Sequence, residues 1–127
     1  MTPKNVLITG AGSGIGQAVT ERLAAKGYRV FAGAIDDDEA KTVAEIDGDV
    51  TPLVFDITDS AAVEGAVATI RDALGPDGGL DVIFNIAGMT TNGPLADLTT
   101  ETFSHVLAVN LVGTHTVTRA ALPLLHR

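Results

Sequence analysis

A glycine-rich turn between an apolar run and a periodic segment is the feature that most constrains this chain. Residues 9–16 read Thr-Gly-Ala-Gly-Ser-Gly-Ile-Gly, after an apolar run at residues 5–8. Beyond the turn, Ile15, Val19 and Leu23 recur at helical spacing. The order strand, glycine turn, helix suits a phosphate site, because the first N–H groups of a helix have no helical partner and carry partial positive charge. We therefore expect this turn to bind an anion such as a pyrophosphate.

Two other glycine motifs do not fit the spacing of the glycines in this turn. The pattern G-x-G-x-x-G fails by one residue, since its last glycine would fall at Ile15 when counted from Gly10. A P-loop is excluded, because no glycine pair has the Walker spacing followed by Lys and Ser or Thr. A glycine turn that binds nothing stays open as an alternative, although the strand before it and the helix after it favour a site.

Strands and helices alternate along the rest of the chain. Strands are predicted at residues 4–9, 29–35, 51–55 and 80–86. Helices are predicted at residues 15–26 and 36–45, along the apolar positions from Val63 to Leu74, and from Thr99 or Thr100 to about Leu125. Pro123 predicts that the last helix ends or bends there. Strict alternation predicts a doubly wound, Rossmann-type α/β fold with a parallel sheet in the order 3-2-1-4.

Composition narrows the class of protein. The net charge is −8, with a pI near 4.5, which disfavours nucleic acid and anionic membranes as partners. The sequence has no cysteine, and no signal peptide or membrane-spanning run is visible in it, so a cytoplasmic location is expected. No metal site is expected either, because His105 and His115 would lie about 15 Å apart along one helix axis.

The glycine turn fits the pattern T-G-x-x-x-G-x-G, which resembles that of the short-chain dehydrogenase/reductase family. Three further marks follow in the family's order. Asp56 comes just past the third predicted strand, residues 85–88 read Asn-Ile-Ala-Gly at the end of the fourth, and Asn110 lies in the last helix. Ile86 departs from the family's N-N-A-G stretch, which has a second Asn there. Taken singly, each mark has an ordinary structural explanation; together and in this order they indicate the family.

The resemblance implies an oxidoreductase that transfers hydride between the nicotinamide of NAD(P) and a small alcohol or carbonyl substrate. Its implied site residues fall into three groups. The pyrophosphate side is Gly10, Ser13, Gly14, Ile15 and Gly16; the adenosine side is Asp56, Ile57, Asn85, Ala87 and Gly88; and Asn110 would support the catalytic proton relay.

The choice between NAD and NADP depends on the end of the second strand. A carboxylate there binds the ribose 2′-hydroxyl of NAD, whereas an Arg accommodates the phosphate of NADP. The family's usual position falls at Ala34, with Ile35 next, and neither is charged. Asp36 lies slightly further on and is the candidate ribose ligand, within an acidic run that would repel an extra phosphate. NAD is therefore favoured over NADP; a merely solvated helix start is the alternative for the acidic run.

The family's Ser and its Tyr-x-x-x-Lys pair cannot be placed in this sequence. The one tyrosine, Tyr28, has Ala32 four residues on. The resemblance places those residues after the last helix, so residues 1–127 are expected to form a dinucleotide-binding domain that is incomplete, ends before the fifth strand and is inactive alone. Association with a C-terminal portion of the same fold, or a homo-oligomer built on the last helix, is expected. A non-catalytic dinucleotide-binding module or an inactive fragment is the alternative.

Overall fold

The computed structural model describes residues 4–125 as four strands that alternate with helices. In chain order the elements are β1 (Asn5–Thr9), α1 (Gly14–Ala25), β2 (Arg29–Ala34), α2 (Asp37–Ala44), β3 (Val50–Val54), α3 (Ser60–Leu74), β4 (Val82–Asn85), a 3₁₀ turn (Leu95–Asp97), α4 (Thr100–Leu107), a π-helical turn (Ala108–Gly113) and α5 (Thr114–Leu125). The predicted domain, residues 1–127, extends beyond the described residues at both ends.

The strands form one parallel sheet in the order β3-β2-β1-β4. Leu7 of β1 lies in register with Phe31 of β2 on one side and with Ile83 of β4 on the other. The predicted α/β fold and strand order are therefore confirmed. Within residues 4–125, β4 pairs with β1 alone, so its other edge is open and Val82 is 37% exposed.

The sheet buries apolar side chains on both faces, as a parallel sheet covered by helices must. Alternate residues of β1 point to opposite faces, so Leu7 belongs to one core cluster and Val6 and Ile8 to the other. Leu7 and Phe31 pack with residues of α3 and α5, whereas Val6 and Ile8 pack with the side covered by α1 and α2. The two clusters hold the carboxyl ends of the strands at one common edge.

The fourth strand is shorter than the predicted range 80–86. Before its start, the N–H of Leu80 donates to the carbonyl of Leu124 in α5 (3.0 Å), so this residue is fixed to a helix. After its end, the N–H groups of Ile86 and Ala87 donate to the side-chain hydroxyl of Thr9, at the end of β1. The second strand likewise ends at Ala34, one residue before the predicted end.

The predicted last helix is present, but a π-helical turn divides it. Thr99 is its N-cap, because its hydroxyl accepts a hydrogen bond from the N–H of Thr102 at 3.1 Å. The helix continues past Pro123 to Leu125. Neither this helix nor any other within residues 4–125 is long and apolar enough to cross a membrane.

Candidate functional site

A cavity of about 440 Å³ opens at the carboxyl ends of the strands. The glycine turn and the N-terminus of α1 form one wall, and the segments that follow β2, β3 and β4 form the others. Ligands of open α/β sheets bind at this edge. Nine of the predicted site residues line the cavity: Gly10, Ser13, Gly14, Ile15, Gly16, Asp56, Ile57, Ala87 and Gly88.

The glycine turn needs glycine at two positions because the backbone comes too close for a side chain. Gly10 has φ +66°, and a Cβ there would lie 2.8 Å from the backbone of Ala87. A Cβ on Gly16 would overlap the carbonyl oxygen of Gly10. Gly14, with φ +51°, has open space where a Cβ would point, within the described structure. The turn is thus packed tightly on its inner side and open toward the cavity.

The N-terminus of α1 differs from those of α2, α3 and α4. In those three helices a side chain of the N-cap residue, Asp36, Asp59 or Thr99, accepts a hydrogen bond from the first turn. In the described structure the Ser13 side chain forms no such bond, and the first turn of α1 contains no acidic residue. Its backbone donors therefore remain available to an anion in the cavity.

Thr9 links the end of β1 to the segment that follows β4. Its hydroxyl oxygen accepts hydrogen bonds from the N–H groups of Ile86 and Ala87, both at 3.1 Å, and Thr9 is only 2% exposed. The bond fixes the segment after β4 against the end of β1. Thr9 lines the cavity but was not among the predicted site residues; a threonine at the end of an apolar strand is the signal in the sequence.

Hydrogen bonds from Thr58 stabilise the negative charge of Asp56. Its Oδ1 accepts hydrogen bonds from the N–H (2.9 Å) and the hydroxyl (2.7 Å) of Thr58. These two bonds are the main reason that the pKa of Asp56 is lowered below its ordinary value; burial opposes them less strongly, and His105 across the cavity lowers the pKa by the smallest amount. The carboxylate therefore stays ionised and can accept a hydrogen bond from a ligand amine.

The acidic run after β2 places a different residue at the cavity from the one predicted. Asp36 is the N-cap of α2, and its Oδ1 accepts from the N–H of Glu39 at 2.9 Å. Asp36 does not line the cavity, whereas Glu39 does. The sequence alone did not identify Glu39, because the direction of α2 relative to the glycine turn determines which acid faces inward.

The two predicted asparagines lie outside the cavity wall, on an exposed part of the chain near β4. The Nδ2 of Asn85 donates to the Thr118 hydroxyl in α5 at 3.0 Å. Asn110, in the π-helical turn, binds the main chain of Met89. Asn85 thus joins the end of β4 to α5, and Asn110 joins the segment after β4 to the π-helical turn.

Sequence reasoning also missed His105 and Val109, which line the cavity from the helical side. They are four residues apart, so on a helix they share one face. That spacing was visible in the sequence, but a helix has several such faces, and only the packing of α4 shows which one meets the cavity.

Comparison with known proteins places this geometry in context. The model of the short chain dehydrogenase family matches residues 4–127. Mitochondrial D-beta-hydroxybutyrate dehydrogenase of Mus musculus is 38% identical over 98% of this chain and 38% of its own length. Sorbitol dehydrogenase of Cereibacter sphaeroides is 33% identical over 87% of this chain and 43% of its own. The chain thus spans less than half the length of these two relatives.

A solved structure has the same fold. The NADPH-bound carbonyl reductase from chicken fatty liver superposes with a TM-score of 0.86 at 26% identity, over 98% of this chain and 52% of that chain. This carbonyl reductase therefore shares the fold that carries the sheet, the glycine turn and the cavity of this chain.

Proposed function

Since the chain belongs to the short-chain dehydrogenase/reductase family, we propose that it binds a nicotinamide dinucleotide in the cavity at the carboxyl ends of its strands. It contributes this half of the site to an oxidoreductase of alcohol or carbonyl substrates. Hydride transfer is the chemistry that the cofactor supplies when bound. The relatives, a hydroxybutyrate dehydrogenase, a sorbitol dehydrogenase and a carbonyl reductase, are named for hydroxyl or carbonyl compounds, which supports this substrate class.

The observation that carries the proposal is the fit of the glycine turn to a pyrophosphate. Gly10 and Gly16 leave no room for a Cβ, and Gly14, which lines the cavity, has open space where a Cβ would point. The N-terminus of α1 offers backbone N–H groups that an anion would satisfy. Ile15 and Ile35, 74% and 59% exposed, add apolar surface at the cavity for the flat adenine ring.

Charge at the cavity favours NAD over NADP. The described residues that line it include two carboxylates, Glu39 and Asp56, and neither Lys nor Arg. A ribose 2′-phosphate would bring further negative charge into this field without a cation to pair with. In this proposal Asp56 accepts a hydrogen bond from the adenine amine, and its lowered pKa supports this role because it keeps the carboxylate in the accepting form.

Catalysis in this proposal needs residues from outside this sequence. Residues 1–127 contain no Tyr-x-x-x-Lys pair, since Tyr28 is the single tyrosine. The missing Ser, Tyr and Lys would come from a segment that joins at the open edge of β4, beside Asn110 and Asn85.

Calorimetric titration of the chain with NAD tests the binding proposal. We expect saturable binding with one site, competition by ADP-ribose, loss of binding in Gly16→Ala and retention in Gly65→Ala, whose added Cβ meets open space. A folded chain that does not bind NAD would contradict the proposal. An NADH absorbance assay with alcohol and carbonyl substrates then tests catalysis: turnover by residues 1–127 alone would contradict the assignment of Ser, Tyr and Lys to another segment.

A further inference from the structure

Asn92 and Gly93 form the one Asn-Gly pair of this sequence, in the loop between β4 and α4. Both residues are exposed, and neither belongs to a helix, a strand or the 3₁₀ turn. The loop is held at its two ends, by the hydrogen bonds between Asn110 and the main chain of Met89 and by the Thr99 cap of α4. The pair therefore lies on an exposed stretch between two fixed points.

Asn92 differs from the other three asparagines of the chain in its surroundings. Each of those three is followed by a bulky aliphatic residue, and the Nδ2 group of each donates a hydrogen bond of between 2.7 and 3.0 Å. They are Asn5, Asn85 and Asn110. Within residues 4–125 the side chain of Asn92 makes no hydrogen bond, so its amide group is free to rotate in solvent.

Gly93 leaves the main-chain nitrogen that follows Asn92 accessible. It has φ +143°, a conformation that favours glycine, and a Cβ built on it would meet nothing within 4 Å. Its N–H donates no hydrogen bond to any residue in the described part of the chain. Neither a neighbouring atom nor a backbone bond thus keeps this nitrogen from the side chain of Asn92.

We propose that Asn92 is a site of spontaneous covalent modification, at which the folded chain converts this residue into aspartate and isoaspartate. Solvent base removes the proton of the Gly93 nitrogen, which then attacks Cγ of Asn92. A C–N bond forms, the bond from Cγ to Nδ2 breaks, and ammonia leaves after taking up a proton from solvent. The product is a five-membered cyclic imide.

Water then opens the imide at one of its two carbonyl carbons. Cleavage at Cγ gives aspartate, and cleavage at the main-chain carbonyl carbon gives isoaspartate, whose backbone runs through Cγ. The net change is the exchange of an amide for a carboxylic acid with release of ammonia. Nothing is oxidised or reduced, and water is the only other reactant.

The modification changes the loop without breaking its two anchors. It adds a negative charge to a chain whose net charge is already −8, on the loop that begins at Met89 in the cavity wall. Isoaspartate also lengthens the main chain by one atom between Met89 and Thr99. Because the hydrogen bonds of both anchors lie outside the reacting pair, the ring can close while the sheet and helices remain folded.

Asp77→Asn offers a matched control, because it creates a second Asn-Gly pair in the same chain. Asp77 is also exposed and lies just after α3. The N–H of Gly78, however, donates to the carbonyl of Gly75 at 3.2 Å, and a Cβ on Gly78 would overlap the carbonyl oxygen of Leu74. The two pairs therefore share the same local chemistry but differ in the freedom of the attacking nitrogen.

The test incubates the full chain carrying Asp77→Asn at mildly alkaline pH, both folded and in concentrated urea. Peptide mapping by mass spectrometry follows the two pairs, and thermal unfolding checks that the variant is folded at the start. In the folded chain we expect position 92 to react more than about tenfold faster than position 77, whereas in urea the two rates should converge. The rate at position 92 should rise in proportion to the hydroxide concentration, and Asn92→Gln should abolish it.

Two results would overturn the proposal. One is an equal rate at the two pairs in the folded chain, since the freedom of the Gly93 nitrogen would then have no effect. The other is a rate at Asn92 that is more than about tenfold lower in the folded parent chain than in urea, because the reaction would then require unfolding. The second comparison uses the parent chain alone, so it decides the matter even if Asp77→Asn does not fold.

Discussion

The side chain of Asn110 and the main chain of Met89 form a reciprocal pair of hydrogen bonds. The Nδ2 group donates to the carbonyl of Met89 at 2.7 Å, and the N–H of Met89 donates to Oδ1 at 2.8 Å. Gly88 permits this approach, since a Cβ there would lie 3.1 Å from the Oδ1 of Asn110. The pair fixes the start of the loop after β4 to the π-helical turn, as a backbone bridge would.

Substituting Asn110 by Ala should release Met89. Both hydrogen bonds are lost, but the site is exposed and water replaces them, so we expect the free energy of unfolding to fall by only about 1 kcal/mol. The sharper readout is hydrogen exchange: the Met89 amide should lose protection while amides of β1 keep theirs. Asn92→Ala, an exposed change in the same loop, is the control and should leave Met89 protected. Unchanged exchange at Met89 in Asn110→Ala would show that the pair does not fix the loop.

Two helical glycines should respond in opposite ways to substitution by alanine. At Gly16 the added Cβ would overlap the carbonyl of Gly10, so we expect a loss of about 3 kcal/mol or more in the free energy of unfolding. At Gly65, within α3, the Cβ meets open space, so the gain in helix propensity should raise the free energy of unfolding by about 0.5–1 kcal/mol. Urea denaturation of both variants measures the difference, and equal effects would contradict the close packing of the turn.

The sheet and the glycine turn were predictable because their signals are local. The apolar run at residues 5–8, the glycine spacing and the alternation of strands and helices lie within short windows of sequence, and the handedness of crossovers then orders the strands. The pattern identified Gly10 and Gly16 as residues of the phosphate site, and in the structure a Cβ on either would meet backbone atoms.

Details that depend on tertiary packing were not predictable. Asp36 and Glu39 lie in one acidic run, and only the docking of α2 over Gly12 decides which of them faces the cavity. The π-helical turn around Asn110 is equally invisible to helical periodicity, which gave one continuous helix. Gly113 in this turn packs against Ile57, a contact between segments far apart in sequence.

Removing the Thr9 hydroxyl should lower the free energy of unfolding by more than the small size of the group implies. Thr9→Val keeps the shape of the side chain but leaves the N–H groups of Ile86 and Ala87 without their acceptor at a part-buried site. We expect a loss of about 1–3 kcal/mol in the free energy of unfolding, measured by urea denaturation. The control is Thr51→Val, the same change at a half-buried position of β3, which should be nearly neutral. Equal effects of the two changes would show that the Thr9 bonds contribute little.

The lowered pKa of Asp56 predicts an acid-sensitive contribution to stability. In the folded state the hydrogen bonds from the Thr58 N–H and hydroxyl lower the pKa of this carboxyl below its ordinary value of 3.8. The folded state therefore favours the ionised form of Asp56. That contribution is complete above the unfolded pKa and is lost as the pH falls through the folded pKa. Asp56→Asn should therefore reduce the free energy of unfolding at about pH 6 and have a smaller effect at about pH 3.

Urea denaturation of the parent and of Asp56→Asn at a series of pH values measures this dependence, and Asp72→Asn, which removes an exposed carboxylate from α3, is the control. The control should follow the parent curve at every pH. Thr58→Val removes the hydroxyl and keeps the N–H of residue 58, so we expect it to lose part of the acid-sensitive contribution but not all of it. If Asp56→Asn differs from the parent by the same amount at both ends of the pH range, the carboxylate does not act through its charge. The bonds from Thr58 would then only shape the turn after β3.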